Sequence, residues 1–306
     1  MRILILGAAG QVGSLIKKAL REEFTAAELA CPEVIEATRA HVDVSDYYAL
    51  ETLINDLKPR WIVNATAYTA VDKAESEPGE AFIINEQVPE KLAMLCASSG
   101  IRLFHISTDY VFDGKGSNPF SESDTVNPLG AYGRSKLAGE NAIKQHLKRH
   151  VILRTAWVFS SGGSNFVKTM LRLAQSRDEV SVVSDQVGSP TSARAIASSI
   201  ASILRQMNDV NEDDSRWGTY HFAGLPYISW ADFAESIFAE ALKRELIKHP
   251  MAIEHITTDQ FPTPAKRPAN SRLDCREIET QFGIKADDWQ SSLRQVLDEL
   301  KLGEVQ

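Results

Sequence analysis

The chain has 306 residues, is 43% hydrophobic and carries a formal charge of −8, so it is long enough for one large domain or two closely packed ones. Its acidity argues against a nucleic-acid partner and requires that any anionic ligand meet a local basic pocket. No apolar run approaches the ~20 residues of a membrane span, and Cys31, Cys96 and Cys275 are too scattered for a disulfide framework or zinc site. The expectation is a cytoplasmic protein with no membrane partner.

In chain order, Arg2–Leu6 is a branched apolar run of the kind that forms a parallel strand buried on both faces. A helix is expected over 14–22, then strands at Val34–Ala37, Trp61–Asn64, Leu103–Ser107 and Val151–Arg154, with helices near 46–57, 86–98 and 132–147 between them. Strand and helix alternating in this way predict an α/β fold with a doubly wound parallel sheet. Beyond residue 160 the pattern changes: helices near 165–176 and 192–206 flank a Gly188-Ser189-Pro190 turn, and a polar loop occupies Asn208–Ser215. An amphipathic helix near 229–247, a Pro-rich stretch over 262–268 and closing helices complete the chain. The expected division is a nucleotide-binding domain over 1–160, completed by 190–222, and a smaller, partly interleaved C-terminal substrate-binding region over 161–189 and 223–306.

Between the first strand and first helix lies Gly7-Ala8-Ala9-Gly10-Gln11-Val12-Gly13. Glycines there allow backbone amides at a helix N-terminus to approach a pyrophosphate, the arrangement of a Rossmann dinucleotide site. The second strand runs into Thr38-Arg39. An acidic residue at that place would accept hydrogen bonds from a ribose 2′-hydroxyl; Thr38 removes the negative charge and Arg39 offers a partner for a 2′-phosphate, which favours NADPH over NADH. Asp43-Val44 are candidates to border the adenine, and Ala67-Tyr68-Thr69 to line the middle of the cofactor.

Tyr132 and Lys136 stand four apart on one helix face. A cation beside a phenol lowers its pKa, and the pair suits protonation of an alkoxide formed from a ketone. Upstream, Ser107-Thr108-Asp109 ends an apolar strand, and Thr108 is placed to hydrogen-bond the ketone oxygen. Trp157 follows another strand, where it can stack on a sugar or fill the core. Arg267, Arg272 and Lys168 are candidate partners of a diphosphate. Asn85 and His105 read as structural polar residues satisfied locally.

The stretches GAAGQVG, VNATAYTAVDKAESEP, STDYVFDG, YGRSKLAGE, RTAWVF, NFVKTML, DQVGSPT and RPANSRLD resemble the dTDP-4-dehydrorhamnose reductases, members of the extended short-chain dehydrogenase/reductase family. The resemblance implies catalytic Thr108, Tyr132 and Lys136, and reduction of dTDP-4-dehydro-L-rhamnose to dTDP-L-rhamnose. It implies nucleotide-sugar contacts at Thr108, Asp109, Trp157, Gln186, Arg267 and Arg272, with Gly7, Gly10, Gln11, Val12, Gly13, Tyr132 and Lys136 also at the cofactor. A homodimer is compatible with it. Thr38 departs from the acidic residue of members that accept NADH, so use of NADH as a second cofactor stays open; Ser14-Leu15 replaces the acidic residue that in some members holds a metal at a dimer contact, so no metal is expected. The competing readings are another nucleotide-sugar reductase, epimerase or dehydratase, and a non-catalytic subunit similar to the regulatory subunit of methionine adenosyltransferase. Dehydratases of this fold carry an Asp-Glu pair after the threonine, whereas Asp109 is followed by Tyr110.

Overall fold

A computed structural model describes residues 1–304. Six parallel strands form the central sheet: β1 (Arg2–Leu6), β2 (Glu33–Ala37), β3 (Trp61–Asn64), β4 (Arg102–Thr108), β5 (His150–Thr155) and, as its last member, Gly218–His221. Their order is β2-β1-β3-β4-β5 followed by Gly218–His221. Alternate side chains of β1 serve opposite faces, as the period of a strand demands. Ile3 and Ile5 pack with α1 (Gly13–Ala26) and the helix Ala193–Gln206, whereas Leu4 and Leu6 pack with α2 (Tyr47–Leu57) and α3 (Val88–Ser99). Burial on both faces explains why the centres of β1, β3 and β5 are continuous apolar runs rather than alternating.

The remaining major elements are α4 (Ala131–His146), α5 (Phe166–Ala174), β6 (Glu179–Val183), α6 (Ala193–Gln206), β7 (the Gly218–His221 strand), α7 (Trp230–Lys243), β8 (Ala252–Ile256), α8 (Arg276–Phe282) and α9 (Trp289–Glu304). A further apolar cluster joins α5, β6, α7 and α9 through Met170, Val182, Phe233, Ile237 and Trp289. β6 and β8 pair in parallel although 73 positions separate partners such as Glu179 and Ala252.

Two local expectations are corrected and one strand is added. The third long helix begins at Val88, because Ile83–Gln87 winds as a wider π turn with Asn85 buried inside it. The helix expected over 229–247 stops at Lys243, after which Arg244 and a left-handed Glu245 (φ 62°) turn the chain. The sheet also gains β7, whose polar Gly-Thr-Tyr-His sequence carries no strand signature of its own; register with Val151–Arg154 holds it in place.

Candidate active site

The C-terminal ends of β1, β3, β4 and β5 open into a cleft of about 540 Å³. It lies where the strand order reverses, beside β1 and β3, the usual ligand crevice of an open α/β sheet. Gly7 bends the glycine loop at φ 81°, and a Cβ there would sit 2.7 Å from the Ala65 carbonyl oxygen, so only glycine allows the close approach to the loop after β3. Among the described residues no backbone acceptor takes the amides of Gln11 and Val12 ahead of α1. Unclaimed amides at a helix N-terminus fit a dinucleotide pyrophosphate. The Gln11 side chain also works across the cleft, accepting from Ser160 Oγ at 2.8 Å and Asn165 Nδ2 at 2.9 Å.

Just after β2, Thr38 Oγ1 meets His41 Nδ1 at 2.9 Å and Arg39 is exposed. Asp43 turns its carboxylate onto Ser45, whose hydroxyl and amide hold its pKa down, and Val44 packs on the core. Ala67 and Thr69 line the cleft. Between them, both backbone polar groups of Tyr68 are held by the Asn85 side chain, at 2.9 Å to the amide and 3.1 Å to the carbonyl, and Asn85 also donates to Ser135 Oγ of α4 at 3.0 Å. Asn85 thus ties the loop after β3 to the helix carrying Tyr132.

That helix starts where Glu75 accepts the amide of Ala131 at 2.7 Å, a carboxylate capping an N-terminus. One residue on, Tyr132 is nearly buried, edge-on to Tyr110 with ring centroids 5.4 Å apart. Burial pushes its phenol up to about 12, against the opposing pull of the Thr108 hydroxyl. The phenol is therefore protonated at neutral pH and available as an acid. Lys136 is buried one turn along, and burial brings it down to about 8, while Glu140 acts the other way. Its Nζ donates to the Ile106 carbonyl at 2.7 Å and lies 3.1 Å from His105 Nε2. Burial rather than the lysine dominates the phenol. His105 and Asn85, read from sequence as locally satisfied, both touch the α4 machinery.

Thr108 donates to Asp109 Oδ1 at 3.0 Å. The other Asp109 oxygen, Oδ2, is buried with no protein donor in hydrogen-bond geometry. Burial raises the carboxyl to about 6, against the pull of the nearby Ser271 and Thr108 hydroxyls. A lone buried acceptor in the cleft wall suits a hydroxyl donor on a ligand. Trp157 lines the cleft with a left-handed backbone (φ 47°), its ring stacked on Trp230 at 3.5 Å and pressed against Gly188. It therefore serves both the core and the cleft.

Gln186 and Arg267 instead line a neighbouring cavity of about 450 Å³, which shares the Tyr110 wall with the cleft. Gln186 is spent on Thr258 Oγ1 at 3.0 Å, and Arg267 Nη2 pairs with Asp72 at 2.8 Å, leaving Nη1 buried without a partner. Arg272 is not brought to either cavity: its guanidinium bonds Asn270 Oδ1 at 2.8 Å and lies over Tyr227. The reason is local, since the Asn270 side chain offers an acceptor two residues away. Lys168 is half-buried on α5 and lines neither cavity.

Residues 1–302 match the model of the RmlD substrate binding domain. The chain belongs to this family. Among relatives of this RmlD-family chain, a dTDP-4-dehydrorhamnose reductase of Sinorhizobium fredii is 41% identical over 97% of both chains. A solved dTDP-4-dehydrorhamnose reductase of Clostridium acetobutylicum superposes with a TM-score of 0.86 at 38% identity, covering 98% of this chain and 100% of that one. Another, from Bacillus anthracis and in complex with NADP, gives a TM-score of 0.83 at 31% identity, covering 97% and 99%. The RmlD-family fold here is thus a Rossmann-like α/β architecture, and no helix among the described residues is long and apolar enough to cross a membrane.

Proposed function

We propose that this chain is an NADPH-dependent oxidoreductase that reduces the 4-keto group of dTDP-4-dehydro-L-rhamnose to give dTDP-L-rhamnose. The observation that carries the reading is the convergence of Thr108, Tyr132 and Lys136 on one cleft with the glycine loop, within a chain closely similar to reductases of that name. Residues 1–160 with 190–222 hold the nicotinamide cofactor, and 161–189 with 223–306 the sugar nucleotide; the cytoplasm is the proposed setting.

NADPH, when bound, supplies the hydride. The glycine-loop amides would receive its pyrophosphate, Arg39 its 2′-phosphate and Lys136 its nicotinamide ribose. Tyr132, protonated at neutral pH, gives its proton to the sugar oxygen as charge develops there. Thr108 polarises the same oxygen, and Asp109 Oδ2 accepts from a sugar hydroxyl. Trp157 bounds the sugar site. Arg267 reaches the diphosphate with the guanidinium nitrogen that Asp72 leaves unused. Simple reduction is favoured over dehydration because Tyr110, not a second carboxylate, follows Asp109.

Oxidation of NADPH by the purified protein, followed at 340 nm with the 4-keto-6-deoxy sugar nucleotide, tests the reading. Turnover to the rhamnose product is expected. NADPH binding without turnover would favour the non-catalytic alternative.

A further inference from the structure

Lys136 sits at the end of a hydrogen-bonded chain that begins on the cleft wall. The Thr66 amide can only donate, and it meets Asn64 Oδ1 at 3.1 Å; the Thr66 hydroxyl meets the same oxygen at 2.6 Å. Those contacts fix the orientation of the Asn64 amide, so its Nδ2 faces His105 Nδ1, at 3.1 Å, as a donor. Nδ1 of His105 is then an acceptor, and in a neutral ring the proton must be on Nε2. The ring is fully buried, and that burial chiefly holds it well below the usual histidine range, so it is neutral. Its Nε2 lies 3.1 Å from Lys136 Nζ. Two donors cannot share that contact. An uncharged amine resolves the conflict: one hydrogen goes to the Ile106 carbonyl, and the nitrogen lone pair accepts from His105 Nε2–H.

We propose that His105 is a positioning residue for Lys136: oriented by Asn64, it presents an N–H to the lysine nitrogen and stabilises the uncharged amine. This rests on the reductase reading for its use. When the Tyr132 phenolate left by reduction is reprotonated, the acid is the ammonium form of Lys136, populated below its pKa of about 8: one of its N–H bonds breaks and an O–H bond forms at Tyr132. The amine that remains is the form His105 favours, and water then replaces the lysine proton.

The groups around the pair come from several elements. On α4 they are Tyr132 and Glu140, one turn to either side of Lys136. On β5 they are His150 and Arg154, the latter bonded to Glu140 at 2.6 Å, and Lys144 of α4 lies 3.4 Å from the same carboxylate. Glu140 favours the lysine cation, but its charge is already shared between Arg154, Lys144 and Ser107. The contact with His105 is direct.

The first test needs no turnover. In ligand-free protein labelled with 15N-histidine, His105 is expected as the Nε2–H tautomer at neutral pH, with His105→Gln identifying its signal; the Nδ1–H tautomer would overturn the proposal. In the second, Asn64→Asp keeps an acceptor for Thr66 but gives Nδ1 a second oxygen to bond, which reverses the tautomer and turns Nε2 into an acceptor for the ammonium. The Lys136 titration, read by 13C NMR at Cε, should rise by about one pH unit, and the alkaline limb of kcat should follow. The shift should largely vanish when His105→Phe is added. An unmoved midpoint, or an equal shift in the double variant, would refute a role through His105. If Asn64→Asp does not fold, the tautomer measurement decides alone. A correct tautomer in a protein without turnover would refute the assigned reaction and leave the histidine–lysine contact standing.

Discussion

Replacing Tyr132 by Phe removes one oxygen from a ring that is nearly buried, packed among Ala74, Ala81 and Ala131 and edge-on to Tyr110. The ring stays, so the apolar contacts stay, and the loss of stability should not exceed about 1 kcal/mol, the net worth of one hydroxyl interaction. Catalysis should respond on another scale. A general acid contributes about 10²–10⁴-fold, equivalent to roughly 2.7–5.5 kcal/mol of barrier. Because burial holds the phenol near 12, it keeps its proton through neutral pH, and the parent enzyme should show no loss from this group below about pH 10. Steady-state NADPH oxidation, NADPH titration by fluorescence and thermal melting, made on the same folded preparation, separate the effects. Turnover should fall by at least ~10²-fold with NADPH affinity unchanged. A variant within threefold of the parent would refute the assignment of the acid.

Arg39→Ala should narrow the preference for NADPH over NADH, by the loss of a charge-assisted contact worth roughly 1–3 kcal/mol; equal use of both cofactors by the parent would refute the role. Glu140→Gln should destabilise by about 3–5 kcal/mol in denaturant titration, because it leaves the buried Arg154 guanidinium unpaired; a midpoint close to the parent's would show that the pair is dispensable. Asp109→Asn should stabilise the ligand-free protein while weakening the substrate complex. The folded carboxyl titrates near 6 against an ordinary 3.8, so the fold binds its proton more tightly than the unfolded chain: stability is full below pH 4, falls as pH rises toward 6 and is lowest above it. The asparagine variant should gain up to about 3 kcal/mol above pH 6 and nothing near pH 4, and a gain independent of pH would refute the cause.

Local signals in the sequence reached the glycine loop, the Tyr132–Lys136 pair and the apolar strands within a residue or two, because each is specified by its neighbours in the chain. The partners of those residues are specified by distant ones. Gln11 reads as a loop residue until the fold brings Ser160 and Asn165 to it. Arg267 was legible as a cation, but not its pairing with Asp72, 195 positions away. His105 looked like a polar residue lost in an apolar strand, and only the register of β3 with β4 places Asn64 beside it. Arg272 shows the opposite case: its acceptor, Asn270, is only two residues away, and the guanidinium is turned to it and to neither cavity.

The packing of Trp157 against Gly188 bears on how such a chain can change over generations. A Cβ at position 188 would lie 2.4 Å from the indole ring, which is already fixed against Trp230 on its other side. Any larger residue at 188 must evict the tryptophan, and a smaller residue at 157 leaves a void that glycine cannot fill. The two positions should therefore be inherited as one unit. Across related sequences, loss of the tryptophan should accompany loss of the glycine, and chains with only one of the two should be rare.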